Sequence, residues 1–295
     1  MKLLTFRHGT GPRPGLALGP QVGLDLLSAD PDLPRRWNDL FGRMDRVREL
    51  AEAHAKEAAA GADTTPESPL FPLASALLLP PLPEPSKIIA VGLNYRDHAQ
   101  EQNKPWPAAP LLFAKAPSCL QGPYGPIILD ADLDQVDAEA ELAVVIGRAG
   151  RAIPVERARE HVAGYTCFND VSDRAAQFAD RQWYRGKSID TGGPCGPWIV
   201  TPDELPDLAS GLAITARWNG VLMQSSRTDQ LIFPVDVLIS HASRHMTLLP
   251  GDIISTGTPG GVGVFRDPPV FLRPGDIVEV EIEGIGRLAN PVIAG

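Results

Sequence analysis

The chain has 295 residues, of which 43% are hydrophobic, and it carries a formal net charge of -9. These values are typical of a globular protein with a sizeable core, and they argue against non-specific binding to nucleic acid or to anionic membranes. The cysteines, Cys119, Cys167 and Cys195, form no CxxC pair, which disfavours a disulfide framework or a zinc knuckle. Charge and proline interrupt the N-terminus, and no apolar run approaches the ~18 residues of a membrane span. We therefore expect a cytoplasmic protein.

Residues 1–82 predict a small N-terminal α/β subdomain. Short apolar segments interrupted by Gly and Pro indicate small hairpins at its start. Apolar residues at three- and four-residue spacing over residues 33–60 then indicate one helix that docks on the small sheet. The proline-rich residues 62–86 are typical of an extended connector. We therefore place the domain boundary near Leu82, with a larger domain over residues 83–295.

The larger domain begins with an apolar strand, KIIAVGLNY, which leads into a short polar helix. His98 and Glu101 are three residues apart and share a face of that helix. Such a pair can hold one imidazole tautomer and serve as a general base, but it is equally typical of a surface contact. Lys115 follows the apolar segment PLLFA, either as a surface lysine with a packed stem or as a contact for an anion.

An acidic segment leads directly into an apolar strand in the sequence DADLDQVDAEAELAVVIG, residues 130–147. Asp137, Glu139 and Glu141 alternate with small or apolar residues, so an extended chain points all three carboxylates to one face. A column of like charges favours a neutralising cation, and Mg²⁺ or Ca²⁺ prefers oxygen ligands. The alternative is a solvated acidic loop before an edge strand. An EF-hand is disfavoured because Gln135 stands where that loop needs glycine.

The following segments add charged candidates near the ends of elements. RAIPVERAREHVAGYT predicts a helix that ends at Gly164, before a strand that leads to Asp170, the natural third carboxylate. Arg174 and Gln177 follow at helical spacing on one face, although an Asp cap with a solvent-facing Arg explains the same pattern. Lys187 lies in a Gly-Lys-Ser sequence that lacks the other glycine of a phosphate loop.

The last third of the chain predicts a β-rich meander or barrel-like roll, so that the whole protein is α+β and mainly β. An amphipathic helix interrupts it, in which His241 and His245 are four residues apart. We interpret them as ordinary helix-face histidines, because no general-base Glu and no third ligand accompany them. The loop at residues 256–261 exposes backbone N–H groups, and it predicts either a cradle for a carboxylate or a simple turn.

A series of motifs in this order closely resembles the fumarylacetoacetate hydrolase family: GLNYRDHAQE, FAKAPS, DAEAELAVVIG, GYTCFNDVSDRAAQ, RGKSIDTGGPCGPWIVTPDEL, NGVLMQ and LLPGDIISTGTPGGVG. The resemblance spans residues 86 to 293. It implies a mixed β-roll or sandwich core with a metal at its mouth, and a homodimer. Many relatives have an aromatic residue at the position of Ala138 and Phe near Gly192 and Gly193, and this departure predicts a roomier pocket.

The same resemblance implies roles for individual residues. His98 and Glu101 form a dyad on a mobile lid helix, and Lys187 is the cation opposite a Mg²⁺ ion, with Mn²⁺ or Ca²⁺ as alternatives. The implied metal ligands are Glu139, Glu141 and Asp170. The implied substrate-binding residues are Arg174, Gln177, Thr258, Lys115 and Gly257.

The chemistry that the resemblance implies is stabilisation of an enolate next to a carboxylate, with the metal as Lewis acid and Lys187 as a second positive charge. Our first interpretation is a catabolic hydrolase that cleaves C–C bonds of acylpyruvates or β-diketo acids, with water activated by His98. The alternative is a decarboxylase or isomerase of 2-oxo or hydroxy-diene diacids, such as oxaloacetate or 2-hydroxyhepta-2,4-diene-1,7-dioate. Less favoured are a keto-deoxy sugar acid hydrolase or dehydratase, a ureidoglycolate-type lyase and an inactive binding protein. For each of the enzymes we expect a small anionic substrate.

Overall fold

The fold was obtained as a computed structural model, which describes residues 1–9, 11–60, 64–65 and 68–295. The strands are β1 Lys2–His8, β2 Gly11–Ala17, β3 Val22–Asp25, β4 Leu70–Pro72, β5 Leu78–Leu79, β6 Ile88–Gly92, β7 Leu111–Lys115, β8 Leu120–Gln121, β9 Ile127–Leu129, β10 Val136–Asp137, β11 Ala140–Ile146, β12 Val162–Asn169, β13 Ser172–Asp173, β14 Gly193–Val200, β15 Ala213–Trp218, β16 Val221–Arg227, β17 Ile253–Ser255, β18 Ile277–Ile282 and β19 Gly286–Ala294. The helices are α1 Leu26–Ala29, α2 Trp37–Leu40, α3 Met44–Ala59, α4 Arg96–Glu101, α5 Arg174–Ala179 and α6 Val235–His245. In the part of the chain that the structure describes, every helix is too short or too polar to cross a bilayer.

Two β-sheets form the framework, so the architecture is α+β and mainly β, as the sequence predicts. The larger sheet has the order β4-β3-β2-β1-β14-β12-β11-β17-β6-β7, with β5 beside β1 and β8 beside β14. The second has the order β16-β15-β18-β19-β9. Because β1 pairs antiparallel with β14, the N-terminal strands and the strands of the larger domain share one sheet. The division at residue 82 stays a prediction.

Strand β11 lies inside the larger sheet, between β12 and β17, and all of its residues are buried. Its side chains alternate between two cores. Leu142 and Val144 pack with Ile214 of the second sheet, whereas Ala143 and Val145 pack with the N-terminal helices. Each buried Leu or Val contributes roughly 1.5–3 kcal/mol. The acidic segment therefore enters a central strand and not the edge strand of the alternative interpretation, and this places its carboxylates in the interior.

Two of the predicted helices differ from the structure. The helix predicted over residues 33–60 is divided into α2 and α3 by a 3-10 turn, Phe41–Arg43, whose central residue Gly42 is a poor helix former. The helix predicted to end at Gly164 is a 3-10 segment, Val155–His161, and Gly164 lies within β12. A Cβ at Gly164 would lie 2.4 Å from the carbonyl oxygen of Val200. Close packing against β14, and not helix capping, explains this glycine.

The other local predictions agree well with the structure. The hairpin β15–β16 turns at Asn219 and Gly220, which both have positive φ, 51° and 80°. Helix α6 forms as one segment, and within the described residues its His241 and His245 belong to no cluster of three metal-binding side chains.

The proline-rich connector predicted for residues 62–86 is only partly described. Residues 62–63 and 66–67 lie outside the described residues. The remainder contains β4, which pairs with β3, and β5, which pairs with β1. The described part of this segment therefore runs along the edge of the larger sheet and contributes strands to it.

Candidate metal centre and acid–base pocket

Three buried carboxylates meet where β11 begins and β12 ends. Glu139 directly precedes β11, Glu141 is its second residue and Asp170 directly follows β12, and each offers an oxygen within 4.8 Å of the others. The antiparallel pairing of these strands places Ala140 opposite Asn169, which brings the flanking acidic residues together. Their exposed fractions are 6%, 1% and 0%, respectively. The structure thus brings together the three carboxylates that the family resemblance implies as metal ligands.

Asp137 lies outside this cluster, which corrects the predicted column of three carboxylates on one strand. The chain leaves the strand conformation between β10 and β11, so the alternation does not extend back to Asp137. Its Oδ2 instead accepts hydrogen bonds from Arg174 Nε at 2.9 Å and Nη2 at 2.6 Å, and its Oδ1 accepts from the Gly263 N–H at 2.9 Å. Asp137 therefore holds the guanidinium of Arg174 in place.

Buried cations contact two of the three carboxylates. Lys187 Nζ lies 2.6 Å from Glu139 Oε2 and 2.8 Å from Asp170 Oδ2, while Lys115 Nζ lies 2.7 Å from Asp170 Oδ1. Arg174 Nη1 lies 2.7 Å from Glu139 Oε1. For Glu139, burial raises the pKa, but attraction to Lys187 and Arg174 outweighs burial and holds the pKa well below its usual value.

Glu141 is the exception, because no cationic side chain of the described residues forms an ion pair with it. Its Oε2 accepts hydrogen bonds from Ser255 Oγ and, at 3.0 Å, from the Gly257 N–H. Burial and repulsion from Asp170 and Glu139 raise the pKa of Glu141 well above its usual range. Three convergent oxygen donors with one uncompensated charge fit a hard divalent cation such as Mg²⁺. The residues that would hold the ion are Glu139, Glu141 and Asp170.

We predict that Glu141→Ala weakens Mg²⁺ binding by about 100-fold or more. The loss of a residue that only hydrogen-bonds to a metal ligand typically lowers metal affinity about 10- to 100-fold, and the loss of a ligand itself should cost at least as much. Titration calorimetry on the metal-free protein measures this. Glu160→Ala, which removes an exposed carboxylate, serves as the control of matched charge. A Glu141→Ala protein that binds Mg²⁺ as tightly as the unmodified protein would contradict the site.

His98 lies on α4 beside these carboxylates, and its hydrogen bonds define its tautomer. Its Nδ1 is 3.0 Å from Glu101 Oε2, and a carboxylate only accepts, so we assign the proton to Nδ1. Its Nε2 is 2.8 Å from Gln102 Nε2. Because Lys104 Nζ donates to Gln102 Oε1 at 2.7 Å, the amide of Gln102 turns its NH₂ toward His98. The Nε2 of His98 is therefore a hydrogen-bond acceptor and can take up a proton.

The loop after β17 supports both the carboxylates and α4. The Gly261 N–H donates to Glu101 Oε1 at 2.9 Å, and the Gly260 N–H donates to Asp97 Oδ1 at 3.3 Å. Burial raises the pKa of Glu101. Hydrogen bonds from His98 and Gly261 outweigh this effect, so the pKa lies below its usual value. The loop predicted to cradle a carboxylate thus cradles carboxylates of the protein itself.

The predicted substrate-binding residues occupy two positions. Arg174, Gln177 and Thr258 line the pocket, where Arg174 Nη1 donates to Gln177 Oε1 at 2.9 Å and Thr258 Oγ1 donates to the Ala140 carbonyl at 3.0 Å. Lys115 lies behind the carboxylates, and its ammonium donates to backbone carbonyls and contacts Asp170. The N–H of Gly257 is directed at Glu141. Lys115 and Gly257 thus contact the carboxylates of Asp170 and Glu141 in this structure, and their part in substrate binding stays a prediction.

These groups surround a cavity of about 100 Å³. Pockets for drug-sized ligands measure about 300–1,000 Å³, so this cavity suits a small acid. Several of its lining residues are not predicted from the sequence, and these are Gln102, Lys104, Phe113, Phe178, Trp183 and Phe265. Gln102 was detectable, because it follows His98 by four residues and shares its helix face. The aromatic residues reach the pocket from distant segments and carry no local signal.

Comparison with known proteins places this site in context. Residues 87–293 match the model of the fumarylacetoacetate (FAA) hydrolase C-terminal domain. The mitochondrial oxaloacetate tautomerase of Xenopus laevis is 42% identical over 99% of this chain and 90% of its own length. The structure of fumarylacetoacetate hydrolase from Exiguobacterium antarcticum is 37% identical with a TM-score of 0.83, over 100% of both chains. That of 2-hydroxyhepta-2,4-diene-1,7-dioate isomerase from Mycobacterium marinum is 34% identical with a TM-score of 0.77, over 100% of this chain and 98% of the other.

Proposed function

The chain belongs to the fumarylacetoacetate hydrolase family, and from that premise we propose that it is a divalent-metal-dependent tautomerase of a small 2-oxo acid of the oxaloacetate type. The observation that carries the proposal is the orientation of His98, whose Nδ1 is held by Glu101 while Nε2 accepts in a pocket lined by Glu139 and Glu141. The similarity to an oxaloacetate tautomerase supports proton transfer, the alternative in the sequence analysis, over the C–C hydrolysis that came first.

Proton transfer uses the pocket residues as follows. Glu139, Glu141 and Asp170 would hold a divalent cation, which would supply Lewis-acid polarisation of the 2-oxo group. His98 Nε2 takes the proton from the adjacent carbon, and Glu101 stabilises the imidazolium that forms. The ammonium of Lys187 stabilises the negative charge that develops on the 2-oxo oxygen. The proton then passes to that oxygen and gives the enol, and the reverse sequence regenerates the keto form.

Hydrolysis of a C–C bond is the second candidate, and the similarity to a fumarylacetoacetate hydrolase supports it. The same dyad would then activate water for attack on a distal carbonyl. That reaction requires a water molecule beside His98 Nε2, and the amide of Gln102 is the group that contacts this atom. The amide must move aside for a substrate carbon as well as for water, so this contact does not separate the two reactions, and the similarity to an oxaloacetate tautomerase supports tautomerisation. The homodimer and the cytoplasmic location stay predictions.

The proposed function predicts fast enol–ketone interconversion. When an enol-rich stock of oxaloacetate is diluted into buffer, we expect the Mg²⁺-loaded protein to accelerate the loss of the ultraviolet absorbance of the enol, in proportion to enzyme concentration. Total oxaloacetate, measured by a coupled reduction, stays constant over the same interval. The Glu141→Ala protein is the control. Equal rates for both proteins, or a loss of total oxaloacetate that matches the absorbance change, would contradict the proposal.

A further inference from the structure

The pocket is lined by a lysine that forms no ion pair among the described residues. Arg174 and Lys187, the other cations that line it, lie 2.6–2.7 Å from Glu139 oxygens. Lys104 is exposed, and its Nζ donates to the neutral carbonyl of Gln102 at 2.7 Å. Since the whole chain carries a net charge of -9, an unpaired cation at the pocket is where an additional negative charge of a substrate is favoured.

This lysine is connected to His98 through the side chain of Gln102. One amide group, that of Gln102, separates Lys104 Nζ from His98 Nε2, with contacts of 2.7 Å on the lysine side and 2.8 Å on the histidine side. The NH₂ of the amide points at the atom that takes up the proton. A substrate carbon that delivers its proton to His98 must therefore come next to Gln102 and Lys104.

In a 2-oxo diacid of the oxaloacetate type, the carbon that loses the proton is bonded directly to the second carboxylate. When that carbon faces His98 Nε2, the second carboxylate is one bond away and comes within reach of the Gln102 amide and the Lys104 ammonium. We propose that Gln102 and Lys104 form the binding site for the distal carboxylate of a dianionic 2-oxo acid, an inference that rests on the proposed function. The carboxylate replaces the Lys104–Gln102 hydrogen bond and accepts from both side chains, which exchanges a neutral acceptor for a charged one.

The selective loss of activity on a dianion tests this site. We compare oxaloacetate with its 4-ethyl ester, which has the same 2-oxo-carboxylate end but a neutral distal group. Lys104→Met should raise KM for oxaloacetate by about 10- to 100-fold, the usual effect of losing a hydrogen bond to a charged group. It should lower kcat/KM for oxaloacetate by a factor about 10 or more larger than the factor for the ester, because only oxaloacetate has a distal charge for the ammonium to bind. Gln102→Leu should lower the same preference, and Lys104→Arg should restore most of it.

Lys56→Met removes an exposed lysine of α3 and is the control of matched charge. Equal changes in kcat/KM for both substrates, or no change in kcat/KM for oxaloacetate, would overturn the proposed binding site for the distal carboxylate. Neither result would contradict the proposed tautomerase function. If the unmodified protein interconverts neither substrate, the proposed function fails instead. Calorimetric affinity of the Mg²⁺-loaded protein for oxaloacetate and for the ester then still tests the site, since equal affinities for the unmodified and Lys104→Met proteins would overturn it.

Discussion

Replacing Lys187 with methionine is expected to lower the turnover of the Mg²⁺-loaded enzyme by about 100-fold or more, the usual cost of losing a preorganised oxyanion donor. The side chain is 2% exposed, and its ammonium lies between Glu139 Oε2 and Asp170 Oδ2, at the wall of the cavity. It is therefore already in place when negative charge develops on the 2-oxo oxygen. Steady-state kinetics of enol–ketone interconversion measure the effect, which should fall mainly on kcat.

A second measurement separates this catalytic role from a structural one. Without Lys187, two buried carboxylates lose a shared cation, and breaking a buried ion pair costs roughly 3–5 kcal/mol. We expect the metal-free Lys187→Met protein to melt at a lower temperature than the unmodified protein, and Mg²⁺ to restore most of the difference. Lys56→Met should change neither quantity. A well-folded Lys187→Met protein with less than a threefold loss of kcat would leave Lys187 with a structural role only.

The proximity of the three carboxylates that the family resemblance implies as metal ligands also follows in part from two local rules. Period-two alternation at the start of β11 predicts that Glu139, which directly precedes the strand, and Glu141 share a face, and a polar residue directly after a buried strand identifies Asp170. The same alternation does not extend to Asp137, because the strand conformation is interrupted between Asp137 and Ala140. No local pattern indicates this break. Asp137 instead contacts Arg174, which is 37 residues away in sequence.

The rest of the site depends on contacts between distant segments. Lys115 has the local pattern of a surface lysine, yet it is buried because Asp170 and three backbone carbonyls surround its ammonium. Gly164 has the pattern of a helix end, yet it is required by the approach of β14. In both cases the residue type has two common uses, and only the packing of neighbouring strands decides between them. The order of the family motifs identified the fold without this information.

Replacing His98 with alanine is expected to abolish enol–ketone interconversion while Mg²⁺ affinity stays within about threefold of the unmodified protein. The imidazole carries the proton, whereas the metal ligands are on β11 and at the end of β12 and keep their own contacts. Glu101→Gln should cost less, because the amide can still contact Nδ1 but no longer stabilises the imidazolium by its charge. Calorimetry and the enol assay together measure both variants. Substantial activity in His98→Ala would assign the proton transfer to another group.

The same histidine also separates the two leading functions, because a hydrolase must pass its proton through water and a tautomerase need not. An acylpyruvate incubated with the enzyme in ¹⁸O-labelled water gives an ¹⁸O-labelled acyl acid only if water attacks the distal carbonyl. A tautomerase instead exchanges the hydrogens of the carbon beside the 2-oxo group with deuterium from D₂O and releases no acid. We expect exchange without labelled acid, and we expect His98→Ala to remove the exchange. Labelled acid formed as fast as the exchange would favour C–C hydrolysis, and release of CO₂ from oxaloacetate at that rate would favour decarboxylation.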